Sequence, residues 1–177
     1  MQIRYPLAPL TLSMLFAGPA VAAGLGVNVE IPRLNVSEYH RPYVAAWIER
    51  PDNSIATTLA VWYDVRTRNN NPEGEGTKWL KDLRQWWRRG GRELSVPVDG
   101  VTGATKPAGK HQLQFAEGSK PLGQLAPGSY RLVVEAAREV GGREVVTVPF
   151  QWPPAKAEVA SAAGKEELGE VKVELKP

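Results

Sequence analysis

Apolar and polar positions alternate over residues 27–31: Val27, Val29 and Ile31 are apolar, Asn28 and Glu30 polar. That period predicts a half-buried strand, and Pro32 just after it suits an edge or a bulge. Residues 43–48 and 59–63 are rich in aromatic and branched side chains. Pro51-Asp52-Asn53 lies between them, a turn signal that predicts a hairpin burying Trp47 and Trp62. Residues 69–76, three asparagines followed by Pro-Glu-Gly-Glu-Gly, read as a loop. A helix is then expected, capped by Thr77, with Leu80, Leu83 and Trp87 at three- and four-residue steps and Gly90-Gly91 at its end. Trp79 and Trp86 fall on the flank of that stripe. Further strands are expected at Leu94, Val96 and Val98, and from His111 to Phe115. The latter has His111, Leu113 and Phe115 on one face, the pattern of a packed histidine.

Near the C-terminus, Tyr130, Leu132 and Val134 start another strand. Gly141-Gly142 gives a two-residue hairpin signal joining residues 132–140 to 143–152. Pro153-Pro154 stops that strand. The Ala-, Lys- and Glu-rich stretch 154–167 reads as a mobile connector, and Val171, Val173 and Leu175 alternate as a last strand closing the sheet. The turn before Tyr130 resembles the corner of immunoglobulin-like sandwiches, in which the phenol ties the strand to the preceding loop. The fold class expected is therefore all-β: an antiparallel immunoglobulin-like β-sandwich with one short amphipathic helix.

The N-terminus changes the picture of where the chain works. Arg4, an apolar run over 7–16 and the small residues of 17–23 have the order of a secretory signal, too short for a membrane anchor. The expected organisation is a signal peptide over 1–23, a sandwich over 24–153, the connector over 154–167 and the last strand over 168–177. Export to the periplasm follows, without membrane insertion of the mature chain. Removing 1–23 takes the net charge from +3 to +2 (3 − 1, Arg4 being the charge lost), too small and dispersed for a nucleic-acid partner.

Composition also removes chemistry. With no cysteine and only His40 and His111, disulfides, thiolate metal sites and a three-histidine metal site within one chain are excluded. No serine stands in a nucleophile-elbow setting, and no catalytic residue is singled out.

One run carries candidate chemistry: Asp99, Gly100, Val101, Thr102, Gly103, Ala104 and Thr105. Read from its residues, it is a connecting turn whose glycines allow positive φ. It also resembles the acceptor motif of bacterial flavin-binding domains, in which an exported flavin transferase links FMN through its phosphate to a threonine. Asp99, Thr102, Gly103, Ala104 and Thr105 match that pattern's fixed positions. The resemblance implies that Thr105 is the attachment residue and that the residues before it are what the transferase recognises.

The mature chain as a whole resembles a bacterial family of predicted periplasmic proteins, the domain-of-unknown-function 2271 family. The features are residues 40–47 (HRPYVAAW), 78–83 (KWLKDL), 102–105 (TGAT) and 135–139 (EAARE). Members are often encoded near flavin transferases and membrane redox proteins, which implies a place in extracytoplasmic electron transfer. Two readings stand. In one, the protein is an electron carrier holding covalent FMN on Thr105, with a flavin transferase and a membrane redox protein as partners. In the other, it is a non-redox sandwich that binds or scaffolds another envelope protein. The basic helix with Trp79, Trp86 and Trp87 either packs on a sheet or stacks on the flavin ring, offsets its charge or docks an acidic partner. Arg138 is a further candidate, although a strand arginine ordinarily points to solvent. Exposure of the 99–105 run separates the two readings.

Overall fold

The computed structural model describes residues 23–66 and 75–177. The expected signal segment up to residue 22, and most of the expected 69–76 loop, lie outside the described residues.

Among the described residues, nine strands form two sheets. They are β1 (Gly24–Ile31), β2 (Tyr43–Glu49), β3 (Ile55–Tyr63), β4 (Thr102–Ala104), β5 (Gly109–Ala116), β6 (Gly128–Ala137), β7 (Arg143–Trp152), β8 (Glu158–Ala163) and β9 (Glu170–Lys176). One sheet has the order β5-β1-β9-β8 and the other β4-β3-β2-β6-β7. The two-sheet sandwich expected from the alternation is thus present. One pairing departs from the antiparallel rule: β4 runs parallel to β3.

The larger sheet is covered on both faces. Val44, Ala46 and Ile48 of β2 and Leu132 and Val134 of β6 join Val27, Val29, Val171 and Val173 in the core between the sheets. The alternate residues Ala45, Trp47, Val61, Tyr63 and Val133 pack outward against Leu80, Leu83 and Trp86. Burial on both sides explains why β2 and β6 read as nearly continuous apolar runs rather than alternating ones.

The covering layer is helical but broken. A 3-10 segment, Glu75–Asp82, meets helix α1 (Arg84–Arg89) at Leu83, whose ψ of 68° interrupts the spiral; a 3-10 turn, Gly91–Glu93, follows. The single amphipathic helix expected is therefore three short pieces. The change of pitch rotates the stripe, so Trp86 is the buried tryptophan of α1 and Trp87 is half-buried.

Other differences have local causes. Leu94, Val96 and Val98 pack on the same cluster but form no strand. Pro97 offers no N–H, and the Val98 N–H donates to the Thr102 hydroxyl at 2.9 Å. The β6–β7 connection is wider than a two-residue turn, closed by the Arg138 N–H donating to the Gly142 carbonyl at 3.1 Å. Within 154–167, read as a connector, stands β8, paired along β9. Its short, largely exposed side chains suit an edge and hide the period of a strand. β9 does not close the sheet; it lies between β1 and β8. The Tyr130 phenol donates to the Ala126 carbonyl at 2.8 Å, the strand-to-loop tie expected.

Candidate functional site

The 99–105 run is an edge of the larger sheet rather than a free loop. Gly100 takes the left-handed conformation, φ 74°, that turns the chain. Val101 is buried among Leu80, Leu83 and Trp86 and anchors the turn, and its carbonyl accepts the Val61 N–H at 2.9 Å. Thr102 spends its hydroxyl on Val98. Gly103 lies beside the Trp62 indole, where an added Cβ would sit 3.3 Å from Cδ1, so a small residue is needed for the strand to lie this close. The Thr105 N–H donates to the Tyr63 carbonyl at 3.1 Å. Asp99, Gly100 and Ala104 are exposed, while Thr102, Gly103 and Thr105 are half-buried. Val101 thus lies under the helical layer, while Asp99, Gly100 and Ala104 face outward. A short parallel edge pinned by a few backbone bonds is also the kind of element that opens locally at low cost.

Ala104 and Thr105 form part of the wall of a cavity of about 880 Å³. Segments far apart in sequence supply the rest: Tyr39, His40 and Arg41 before β2, Tyr63 to Arg66 at the end of β3, Trp79, Asp82 and Arg84 from the helical layer, and the 137–143 turn between β6 and β7. The volume falls in the range of small-molecule sites, roughly 300–1,000 Å³. The lining combines aromatic rings and arginines with the carboxylates of Asp64, Asp82 and Glu139.

Its polar groups are held firmly. Arg138 is buried, with 6% of its side chain exposed, and its Nε and Nη2 donate to Glu167 at 2.8 and 3.0 Å. Tyr39 lies over the guanidinium, 6.0 Å from ring centroid to Cζ, and Nη1 has no hydrogen-bond partner. The expectation of a solvent-facing arginine is corrected here: the 138–142 turn folds it back onto the loop before β9. Glu167 also accepts the Gly142 N–H at 2.8 Å. Arg143 donates to Glu135 at 2.8 Å, and the same carboxylate accepts the Gln85 and Trp86 N–H groups that open α1. His40 contacts Glu38 at 2.8 Å and Glu139 at 3.7 Å.

Burial, reinforced by the nearby Asp64 and Glu139 carboxylates, holds the Tyr43 phenol above its ordinary value, so Tyr43 enters the site as a neutral group. At the rim, Val140 is 73% exposed with φ 52°, a strained conformation for a branched residue and the kind that clusters at binding sites.

Of the residues expected from the sequence, Thr105 and Ala104 reach the cavity. Thr102 and Gly103 instead shape and hold the turn, and Asp99 is exposed outside the cavity lining. Trp79 lines the cavity, whereas Trp86 is buried and Trp87 packs on the core. His111 is a packing residue as expected, edge-on to Trp62 at 5.7 Å. His40, Tyr43 and Arg143 carried no sequence signal for a site, because each looks like an ordinary strand-end residue until the turns converge.

A family model described as a predicted periplasmic protein (DUF2271) matches residues 24–170. No curated protein and no solved structure matches the chain. No helix among the described residues is long and apolar enough to cross a membrane.

Proposed function

The chain belongs to the DUF2271 family of predicted periplasmic proteins, and from that premise we propose that it is a periplasmic electron carrier holding FMN covalently on Thr105. The observation that carries this reading is the position of Thr105 on the wall of the 880 Å³ cavity. A nucleotide tethered there by its phosphate has a pocket for its ring within reach of the tether. In that lining Trp79 and Tyr39 offer exposed ring surface, and Arg41 and Arg84 bring positive charge. Bound FMN would supply reversible electron transfer.

The protein's own residues do the rest. Gly100, Val101 and Thr102 fix the turn, and Gly103 lets it lie flat against Trp62. In the attachment step a flavin transferase would present FMN joined to a second nucleotide through a phosphoanhydride. The Thr105 oxygen forms the new bond to phosphorus, the bond to the leaving nucleotide breaks, and the hydroxyl proton is taken up by the transferase. The pinned edge of the sheet has to yield or be met in place for this to occur, since Thr105 is half-buried.

Intact mass of the mature protein, co-expressed in the periplasm with a flavin transferase, tests the reading. Wild type is expected to gain one FMN less water, and Thr105→Ala to gain nothing. An unmodified wild type, alongside a known acceptor labelled in parallel, would overturn it and leave the sandwich as a binding or scaffold domain.

A further inference from the structure

The helical layer holds three tryptophans, and the fold assigns them different work. Trp86 is fully buried, and its Nε1 donates to the Thr58 hydroxyl at 3.3 Å. Trp87 is half-buried against the same cluster, 6.3 Å from the Trp86 ring. Trp79 is 49% exposed, and it is the member of the three that lines the cavity shared with Thr105.

An exposed tryptophan alone says little, but this one lines the cavity beside Thr105 and is flanked by two cations. The Lys78 and Lys81 ammonium groups lie 5.4 and 5.9 Å from its ring centroid, which gathers positive charge beside it. The other aromatic rings of the cavity are less exposed: Tyr63 is buried, Tyr43 half-buried and Tyr39 38% exposed. Tyr39 covers Arg138, and Tyr43 and Tyr63 meet edge-on at 6.5 Å.

We infer that Trp79 is the stacking face for the ring of the group tethered at Thr105, a positioning residue flanked by Lys78 and Lys81. This rests on the attachment reading above and deepens it. Stacking on an electron-rich indole quenches flavin emission and imposes a handed environment on the flavin absorption bands. Neither Trp86 nor Trp87 can take the role without leaving the core.

The test uses the mature protein loaded by a flavin transferase, as wild type, Trp79→Leu and Trp79→Phe. Flavin emission and visible circular dichroism are read per mole of covalent flavin, with loading taken from intact mass. Wild type is expected to be dim with a clear visible dichroism signal. Trp79→Leu should brighten severalfold and lose most of that signal, with Trp79→Phe in between. Far-ultraviolet dichroism should not change, because the side chain lies at the surface. A loaded Trp79→Leu protein as dim as wild type, with the same visible spectrum, overturns the inference while attachment stands. A wild type that mass shows to be unloaded overturns the attachment reading itself, and this inference with it.

Discussion

Thr102 and Thr105 stand three residues apart, and the fold uses their hydroxyls differently. That of Thr102 accepts the Val98 N–H, a bond that holds the turn where Pro97 has removed a donor. Thr102→Ala leaves that half-buried N–H unsatisfied, which typically costs about 1–3 kcal/mol. Thr105 ties to the sheet through its backbone, with its N–H on the Tyr63 carbonyl, and Thr105→Ala keeps that bond. Its stability should stay within about 0.5 kcal/mol of wild type. Urea denaturation of the unloaded proteins checks the contrast. Equal losses in both variants would mean that Thr105 is structural as well. The sequence already marked both threonines, but only the structure divides them, because the partner of Thr102 lies in a segment expected to be a strand.

At the scale of elements, the strands were legible wherever one face is buried and the other wet, as in β1 and β9, whose apolar residues alternate. Legibility failed where a contact outside the element decides its form. Leu83 breaks the helix because Leu80, Leu83 and Trp86 all have to reach one sheet face. β8 escaped notice because an edge of alanines and a serine has little apolar face to display. The loop between β8 and β9 shows such outside control. Glu144 on β7 accepts the N–H groups of Lys165, Glu166, Glu167 and Leu168 at 2.6 to 3.0 Å. Partial burial opposes ionisation of Glu144, but the four donors together outweigh it and hold the carboxyl below its ordinary 4.5. A carboxyl depressed in the folded state stabilises fully above its unfolded value, and that stability is lost as pH falls from about 4.5 through the lower folded value. Glu144→Gln should therefore remove part of the acid dependence of stability below that pH, read from denaturation midpoints across a pH series. An unchanged acid limb would show that this loop does not depend on the charge.

At the scale of the molecule, the cavity could not be read from the sequence, since its walls come from five stretches that meet only when both sheets are built. The last of the chain makes that possible. Arg138 of the cavity wall is held by Glu167, and the segment carrying Glu167 leads into β9, which sits between β1 and β8 rather than at an edge. Leu168, Val171, Val173 and Leu175 are all buried in the core between the sheets. Burying four such aliphatic side chains contributes about 6–12 kcal/mol at 1.5–3 kcal/mol each, comparable with the roughly 5–15 kcal/mol that a whole domain of this kind possesses. Truncation after Pro154 should therefore abolish cooperative folding rather than trim a tail, and the cavity should go with it. Thermal unfolding followed by near-ultraviolet dichroism tests this directly, because Trp47 and Trp62 sit in the packed interior. A truncated protein that keeps the near-ultraviolet signal and a sharp transition would mean that 24–153 folds alone. Arg138 would then owe its place to its own turn, and the cavity wall would not depend on the last strand.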